Sequence, residues 1–258
     1  MLRFPIMKVA IVTGAAQGIG LRTAEVLAAR GYSLVLSDVQ PCPNNLAAIE
    51  IVGDISLEET AQRIASAVRE RFGQADVLVN NAGISHIAPA ERTTAADWRR
   101  VLDVNLLGPF LLCREIGALM LEKRSGSIVN VASVAGLLGV ADRAAYNASK
   151  HGLIGLTRTL AAEWGGQGVR SNAVCPGWVK TPMDLAPQAS GLYNDDDITG
   201  RVPMGRFATP DDIAAAIAFL ADPEQSGFVN GHALSVDGGW FADGGWEALR
   251  KSKQPRQH

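Results

Sequence analysis

The chain has 258 residues, with 24 Lys plus Arg against 26 Asp plus Glu and a formal net charge of −2 at pH 7. That length is enough for one large domain with a sizeable core, and the lack of a basic surplus excludes the usual electrostatics of a nucleic-acid binder. At 47 % hydrophobic and 19 % charged residues, the composition also excludes a disordered chain.

Short β-branched runs alternate with longer amphipathic stretches. Lys8-Val9-Ala10-Ile11-Val12 runs into a glycine-rich turn, and a helical stretch follows to Arg30. Ser33-Leu34-Val35-Leu36-Ser37 reads as the second strand and Ile49-Glu50-Ile51-Val52 as a weaker third. Between them residues 39–49 are interrupted by Pro41 and Pro43, too short for a full crossover helix, so at most one helical turn is expected. Ser56 precedes Glu59 by three residues and reads as the cap of the next helix. Ala75-Asp76-Val77-Leu78-Val79 is a fourth strand, and Thr94 with Asp97 starts a further helix. Ser127-Ile128-Val129-Asn130-Val131, then Val169 to Val174, supply two more strands. Thr209, with Pro210 and Asp212, caps the last long helix, and Ala233 to Val236 closes the series. In each cap a hydroxyl accepts from an orphan N–H and an acid meets the positive helix end. Strands with little polar alternation are buried on both faces. The reading is therefore α/β: a doubly wound, Rossmann-type parallel sheet of about seven strands with helices on both faces. One domain is expected over 1–246, with a long segment at 178–208 and a polar tail at 247–258. Asp237-Gly238-Gly239-Trp240 recurs at 243–246, which is a local echo rather than a repeat architecture.

No uninterrupted apolar run approaches the ~18 residues of a membrane span, and the N-terminus carries no signal-peptide pattern. Cys42, Cys113 and Cys175 are odd in number, distant and without a CxxC pair. This argues against a disulfide framework or zinc site and fits a reducing compartment. A cytoplasmic protein with no metal, no membrane and no nucleic-acid partner is expected.

Three constellations carry chemistry. After the first strand comes Thr13-Gly14-Ala15-Ala16-Gln17-Gly18-Ile19-Gly20. Glycines at a strand-to-helix turn let the backbone approach a pyrophosphate, which the helix N-terminus then attracts. The spacing is GxxxGxG, and glycine also serves tight turns for steric reasons alone. Asp38, at the end of the second strand, favours the dinucleotide reading: its carboxylate can accept both adenosine-ribose hydroxyls. A 2′-phosphate ~4 Å away would be repelled by ~4 kcal/mol at an effective dielectric of 20, and neither Gln17 nor Val39 offers a compensating base. NAD is therefore the expected cofactor. The third constellation is Tyr146-Asn147-Ala148-Ser149-Lys150. Its i, i+4 spacing puts phenol and ammonium on one helix face. A nearby Lys favours phenolate and so makes a general acid/base of the tyrosine. Ser133, Asn80-Asn81-Ala82-Gly83, Asn105 and Pro176-Gly177 all fall at carboxyl ends of strands or beside that edge, where ligands bind in open α/β sheets.

Together these motifs resemble the short-chain dehydrogenase/reductase family, over residues from about 8 to 240. The resemblance implies strand order 3-2-1-4-5-6-7 and a homotetramer formed through the long helices and last strand. It implies that Tyr146 exchanges the proton of the substrate oxygen, while Ser133 orients that oxygen. Lys150 would bind the nicotinamide ribose and lower the Tyr146 pKa, and Asn105 would shape the backbone around a relay water. Asp54 and Ile55 resemble the adenine-contacting pair. Gly14, Gln17, Gly18, Ile19, Gly20, Asn81, Ala82, Gly83, Pro176 and Gly177 would line the cofactor cleft, and Val179 and Thr181 would meet the carboxamide. Residues 178–208 would form the substrate lid, with Trp178, Met183, Leu192, Tyr193 and Met204 as candidate linings; His86 follows Asn81-Ala82-Gly83 closely enough to edge the pocket, the alternative being an ordinary loop histidine. Asp195, Asp196 and Asp197 read as solvated surface. The short second crossover and the residues beyond Trp240 depart from the family pattern.

The implied activity is NAD-dependent interconversion of a secondary alcohol and a ketone, on a small polyol, sugar or cyclic alcohol. Reduction of a 3-oxoacyl thioester is the alternative on the same scaffold. A non-catalytic NAD-binding regulator is the alternative of a different class, and would be expected to lose part of the Asn–Ser–Tyr–Lys set.

Overall fold

The computed structural model describes residues 8–43, 46–180 and 194–245. Seven strands form one parallel sheet in the order β3-β2-β1-β4-β5-β6-β7. They are β1 (Val9–Thr13), β2 (Ser33–Asp38), β3 (Ala47–Val52), β4 (Val77–Asn80), β5 (Gly126–Val131), β6 (Val169–Pro176) and β7 (Ala233–Val236). The two-residue period of a strand divides its side chains between two cores. Ala10 and Val12 of β1 pack with Leu27, Ile213 and Ile217, beneath α1 (Gly18–Ala29) and the last long helix, Pro210–Ala221. Val9 and Ile11 pack on the opposite face with Ile64, Leu112, Ile116 and Met120. That face belongs to α2 (Glu58–Phe72), α4 (Gly108–Lys123) and α5 (Ala144–Trp164), with α3 (Ala95–Leu102) packed on α5. Burial on both faces explains the continuous apolar reading of the central strands.

β1 pairs with β2 on one side and with β4 on the other. Successive crossovers leave β1 in opposite directions, which opens a crevice at the carboxyl ends of β1 and β4. The described part of the β2–β3 connection has no helix. Cys42 N–H donates to Glu50 Oε1 at 2.7 Å, and Gly53 N–H to Asp38 O at 2.9 Å, which ties the short connection down.

The caps at Thr94 and Thr209 form, each hydroxyl accepting from the backbone N–H three residues on. The cap expected at Ser56 does not. Helix α2 starts after Leu57, and the Ser56 hydroxyl donates instead to Asp54 Oδ1 at 2.7 Å. The hydroxyl oxygen accepts from Arg100 Nη1 at 2.9 Å rather than from an N–H of the helix end, so Asp54 and Arg100 together hold it away from α2.

A π-turn at Asp103–Leu107 joins α3 to α4, so Ala95–Lys123 is one continuous 29-residue helix. It is long and apolar enough to cross a membrane, but 61 % of its most apolar window is buried inside the molecule. A short helix, α6 (Asp195–Thr199), precedes α7 (Pro210–Ala221). Asn194 and Asp197 form its reciprocal cap, and Lys180 pairs with Asp195 at 2.5 Å.

Candidate active site

At one end of the crevice the turn after β1 is held by sterics that only glycine meets. Gly14 has φ +64°, and a Cβ there would stand 2.8 Å from Ala82 Cα. A Cβ on Gly20 would stand 2.0 Å from Gly14 O. The Asn81 amide clamps the turn by donating to Thr13 O at 2.9 Å and Gly14 O at 3.0 Å. Gln17 precedes α1 in extended backbone, makes no side-chain cap, and no acid occupies the first turn. The first N–H groups and the positive dipole end are therefore open to an anion. Asp38 Oδ2 accepts from Ala16 N–H at 3.0 Å, and Oδ1 from Gln40 N–H at 3.1 Å. These bonds fix the carboxylate beside the turn and leave it further acceptor capacity. Asp54 pairs with Arg100 at 2.7 Å. Two Ser56 hydrogen bonds and this arginine hold its carboxyl below the usual range despite partial burial. The cradle fits a dinucleotide: open backbone donors for a diphosphate, and an acid for ribose hydroxyls.

At the other end Lys150 is almost wholly buried, and its Nζ donates to Val131 O at 2.8 Å. Burial pushes its pKa down to about 8. The Cys175 thiol, itself pushed up to about 11 by burial, supplies no compensating negative charge at neutral pH. Lys150 Nζ lies 5.6 Å from the centroid of the Tyr146 ring. Ser133 heads the turn after β5, its Oγ accepting from Ala135 N–H at 3.1 Å.

Asn105 is fully buried in the π-turn and does not line the cleft. Its Oδ1 accepts from Ile84 N–H at 2.8 Å, while Nδ2 donates to Ile84 O at 2.9 Å and Ser149 Oγ at 3.1 Å. Ser149 in turn donates to Tyr146 O at 2.7 Å. Asn105 thus ties the loop after β4 to the helix that carries Tyr146 and Lys150.

A single cleft of about 530 Å³ joins the two ends. Gly14, Gln17, Gly18, Ile19, Asp38, Asp54, Ile55, Asn81, Ala82 and Gly83 line it, with Ser133, Tyr146, Lys150, Pro176, Gly177 and Val179. Gly20 lies behind the turn. Thr181, Met183, Leu192, Tyr193 and the tail at 247–258 lie outside the described residues. Trp178 lines the cleft, whereas Met204 is 64 % exposed and His86 is not in the lining. Met204 sits on a turn bonded to Gly238, and His86 leans towards Asp97, 4.0 Å away. Sequence reasoning missed Ser85, Val140, Arg143 and Trp240, which also line the cleft. Trp240 stacks on Trp178 with centroids 6.0 Å apart and planes 14° apart. The one hint was the aromatic ending of the 237–240 run.

The family model described as Enoyl-(Acyl carrier protein) reductase matches residues 14–241. The chain belongs to the short-chain dehydrogenase/reductase family. It is an oxidoreductase of CH–OH groups that depends on NAD or NADP. It is 40 % identical over 243 residues to D-threitol dehydrogenase of Mycolicibacterium smegmatis, covering 90 % of this chain and 92 % of that one. Among solved structures it resembles a putative NAD(P)-dependent gluconate 5-dehydrogenase from Beutenbergia cavernae with bound NADP. That match has 39 % identity, TM-score 0.84, and covers 93 % of this chain and 100 % of the other. It also resembles a 3-ketoacyl-(acyl-carrier-protein) reductase from Brucella melitensis complexed with NADH. There the identity is 32 % and the TM-score 0.84, with 91 % and 98 % of the two chains covered.

Proposed function

We propose that this enzyme interconverts a secondary alcohol and its ketone with NAD, on a compact polyol, sugar or cyclic alcohol. The observation that carries the proposal is one cleft lined at one end by Ser133, Tyr146 and Lys150 and at the other by Asp38 and the glycine turn. When bound, NAD supplies the hydride acceptor. In the oxidative direction the Tyr146 oxygen takes the substrate hydroxyl proton, and the Lys150 charge favours its phenolate form. Ser133 donates to the same oxygen and holds it at Tyr146. Asn105 fixes the relative position of these groups through Ile84 and Ser149. The Trp178–Trp240 stack walls the substrate end and excludes water.

The cofactor preference rests on Asp38. Of the bases near that end, Arg100 is already paired with Asp54, so Asp38 would meet a 2′-phosphate uncompensated. A compact substrate is supported by the similarity to a threitol dehydrogenase. The 3-oxoacyl thioester reading has a relative of that activity behind it. An acidic carrier needs an unpaired basic mouth, and Lys180 is paired with Asp195. A homotetramer is supported by exposed Leu107 at the end of the π-turn, Phe110 on α4 and Phe228 in the segment before β7, and its mass in solution by light scattering tests it. The activity is tested by an NAD-dependent screen of sugars, polyols, cyclic diols and 3-hydroxyacyl thioesters. The proposal expects turnover among the first three groups, and a strong preference for thioesters contradicts it.

A further inference from the structure

We infer that Arg143 selects substrates carrying a carboxylate in addition to the reacting secondary alcohol, so that the preferred substrates are compact hydroxy acids. The inference rests on the compact-alcohol reading and narrows it. Arg143 immediately precedes α5, three residues before Tyr146, about one helical turn or roughly 5 Å along the axis. Its backbone is anchored: Ala88 bridges to it, and Ala88 N–H donates to Asp142 O at 2.9 Å. Asp142 itself sits at φ +58°, an uncommon conformation for a non-glycine residue that the surrounding contacts sustain.

The side chain is held just as firmly. Arg143 Nη1 donates to Ser85 Oγ at 3.0 Å, and the guanidinium carbon lies 5.4 Å from the Trp178 ring centroid. Arg143, Ser85, Trp178 and Trp240 all line the substrate end of the cleft. Arg22, Arg69, Arg100, Arg114 and Arg206 each have a carboxylate within 4 Å. Among the described residues none reaches Arg143. A half-buried guanidinium with unused donors, stacked on an indole and aimed into a cleft, is built to receive an anion. One planar guanidinium matches the two oxygens of a carboxylate. A dianionic phosphate would call for a second cation, and Lys150 is engaged with Val131 O.

The test compares matched pairs, 4-hydroxycyclohexanecarboxylate with its carboxamide and gluconate with sorbitol. Wild type, Arg143→Met and Arg143→Lys are assayed for kcat/KM with NAD. Calorimetry measures binding of the same compounds to the NADH-loaded enzyme. A charge-assisted pair in such a site gives about 10- to 100-fold preference for the acid. That ratio falls to about unity in Arg143→Met and is partly restored in Arg143→Lys. Because the ratio is taken within one protein, loss of folded enzyme cancels. Equal use of acid and neutral partner by wild type, or an unchanged ratio in Arg143→Met, overturns the inference while leaving the alcohol chemistry intact. If no compound of either kind is turned over, the compact-alcohol reading fails by itself. Calorimetry then decides: acid binding that depends on Arg143 supports the inference, and its absence overturns it.

Discussion

Replacing Lys150 with methionine is expected to make the cofactor-free protein more stable at neutral pH while abolishing turnover. Burial lowers the Lys150 pKa from 10.5 to about 8, so keeping the ammonium charged inside the fold costs about 3 kcal/mol. Methionine, of similar volume, removes that cost but forfeits the hydrogen bond to Val131 O, which contributes about 1 kcal/mol. The net expectation at pH 7 is a gain of about 2 kcal/mol. The sign with pH follows from proton binding. Between about pH 8 and 10.5 the unfolded chain keeps the Lys150 proton and the folded chain does not, so wild-type stability rises with pH across that window. Below it the full cost is present, and above it the cost has gone. Urea unfolding of both proteins at pH 7 and pH 10, at one fixed protomer concentration, should show the advantage of the variant shrinking as pH rises. Contributions of other titrating groups cancel in the difference. A variant less stable than wild type at pH 7, or an advantage independent of pH, refutes the reasoning. The reason to keep a costly lysine would then have to be sought in folding rather than in catalysis.

Asp38→Ala should narrow the ratio of kcat/KM for NAD over NADP at saturating substrate, chiefly by improving NADP. A wild type that already prefers NADP contradicts the charge argument. Gly20→Ala should fail to bind NADH and lose several kcal/mol of stability, since its Cβ would stand 2.0 Å from Gly14 O; calorimetry and thermal unfolding check both. Thr209→Ala should cost about 1 kcal/mol in urea unfolding with little change in kcat. It removes one hydroxyl of a cap whose Asp212 carboxyl is held far below its usual range by Arg206 and by Thr209.

Most of the scaffold was legible because its signals are local. The apolar runs predict all seven strands within two residues at each end. Pro41 and Pro43 rightly exclude a helix from the described part of the second crossover. The same hydroxyl–acid spacing holds at Thr94 and Thr209 and misleads at Ser56, where Asp54, two residues earlier, and Arg100, far along the chain, take the hydroxyl as donor and acceptor. The π-turn at Asp103–Leu107 is invisible to a 3.6-residue period because its five residues are too few to register as a change of period within the window of about 11 to 18 residues that such a reading needs. That turn is where Asn105 is buried. The ends of the cleft follow from motif spacing, while its substrate wall does not. Arg143, Trp178, Trp240 and Ser85 come from four separate loops, and nothing in the sequence near any of them announces the others. Met204 shows the reverse error: a thioether in the right segment that turns to the outside.

The measurement that tests the central claim most directly is Tyr146→Phe, assayed for NADH binding by calorimetry and for turnover of the best alcohol found in the substrate screen. The substitution removes one hydroxyl from the cleft and leaves the ring and Lys150 in place. Loss of a general acid/base predicts a fall in kcat of about 10²- to 10⁴-fold, with the Kd for NADH changed by less than about threefold. A variant that binds NADH normally and keeps kcat near the wild-type value would contradict the assignment of Tyr146 as the proton-transfer group.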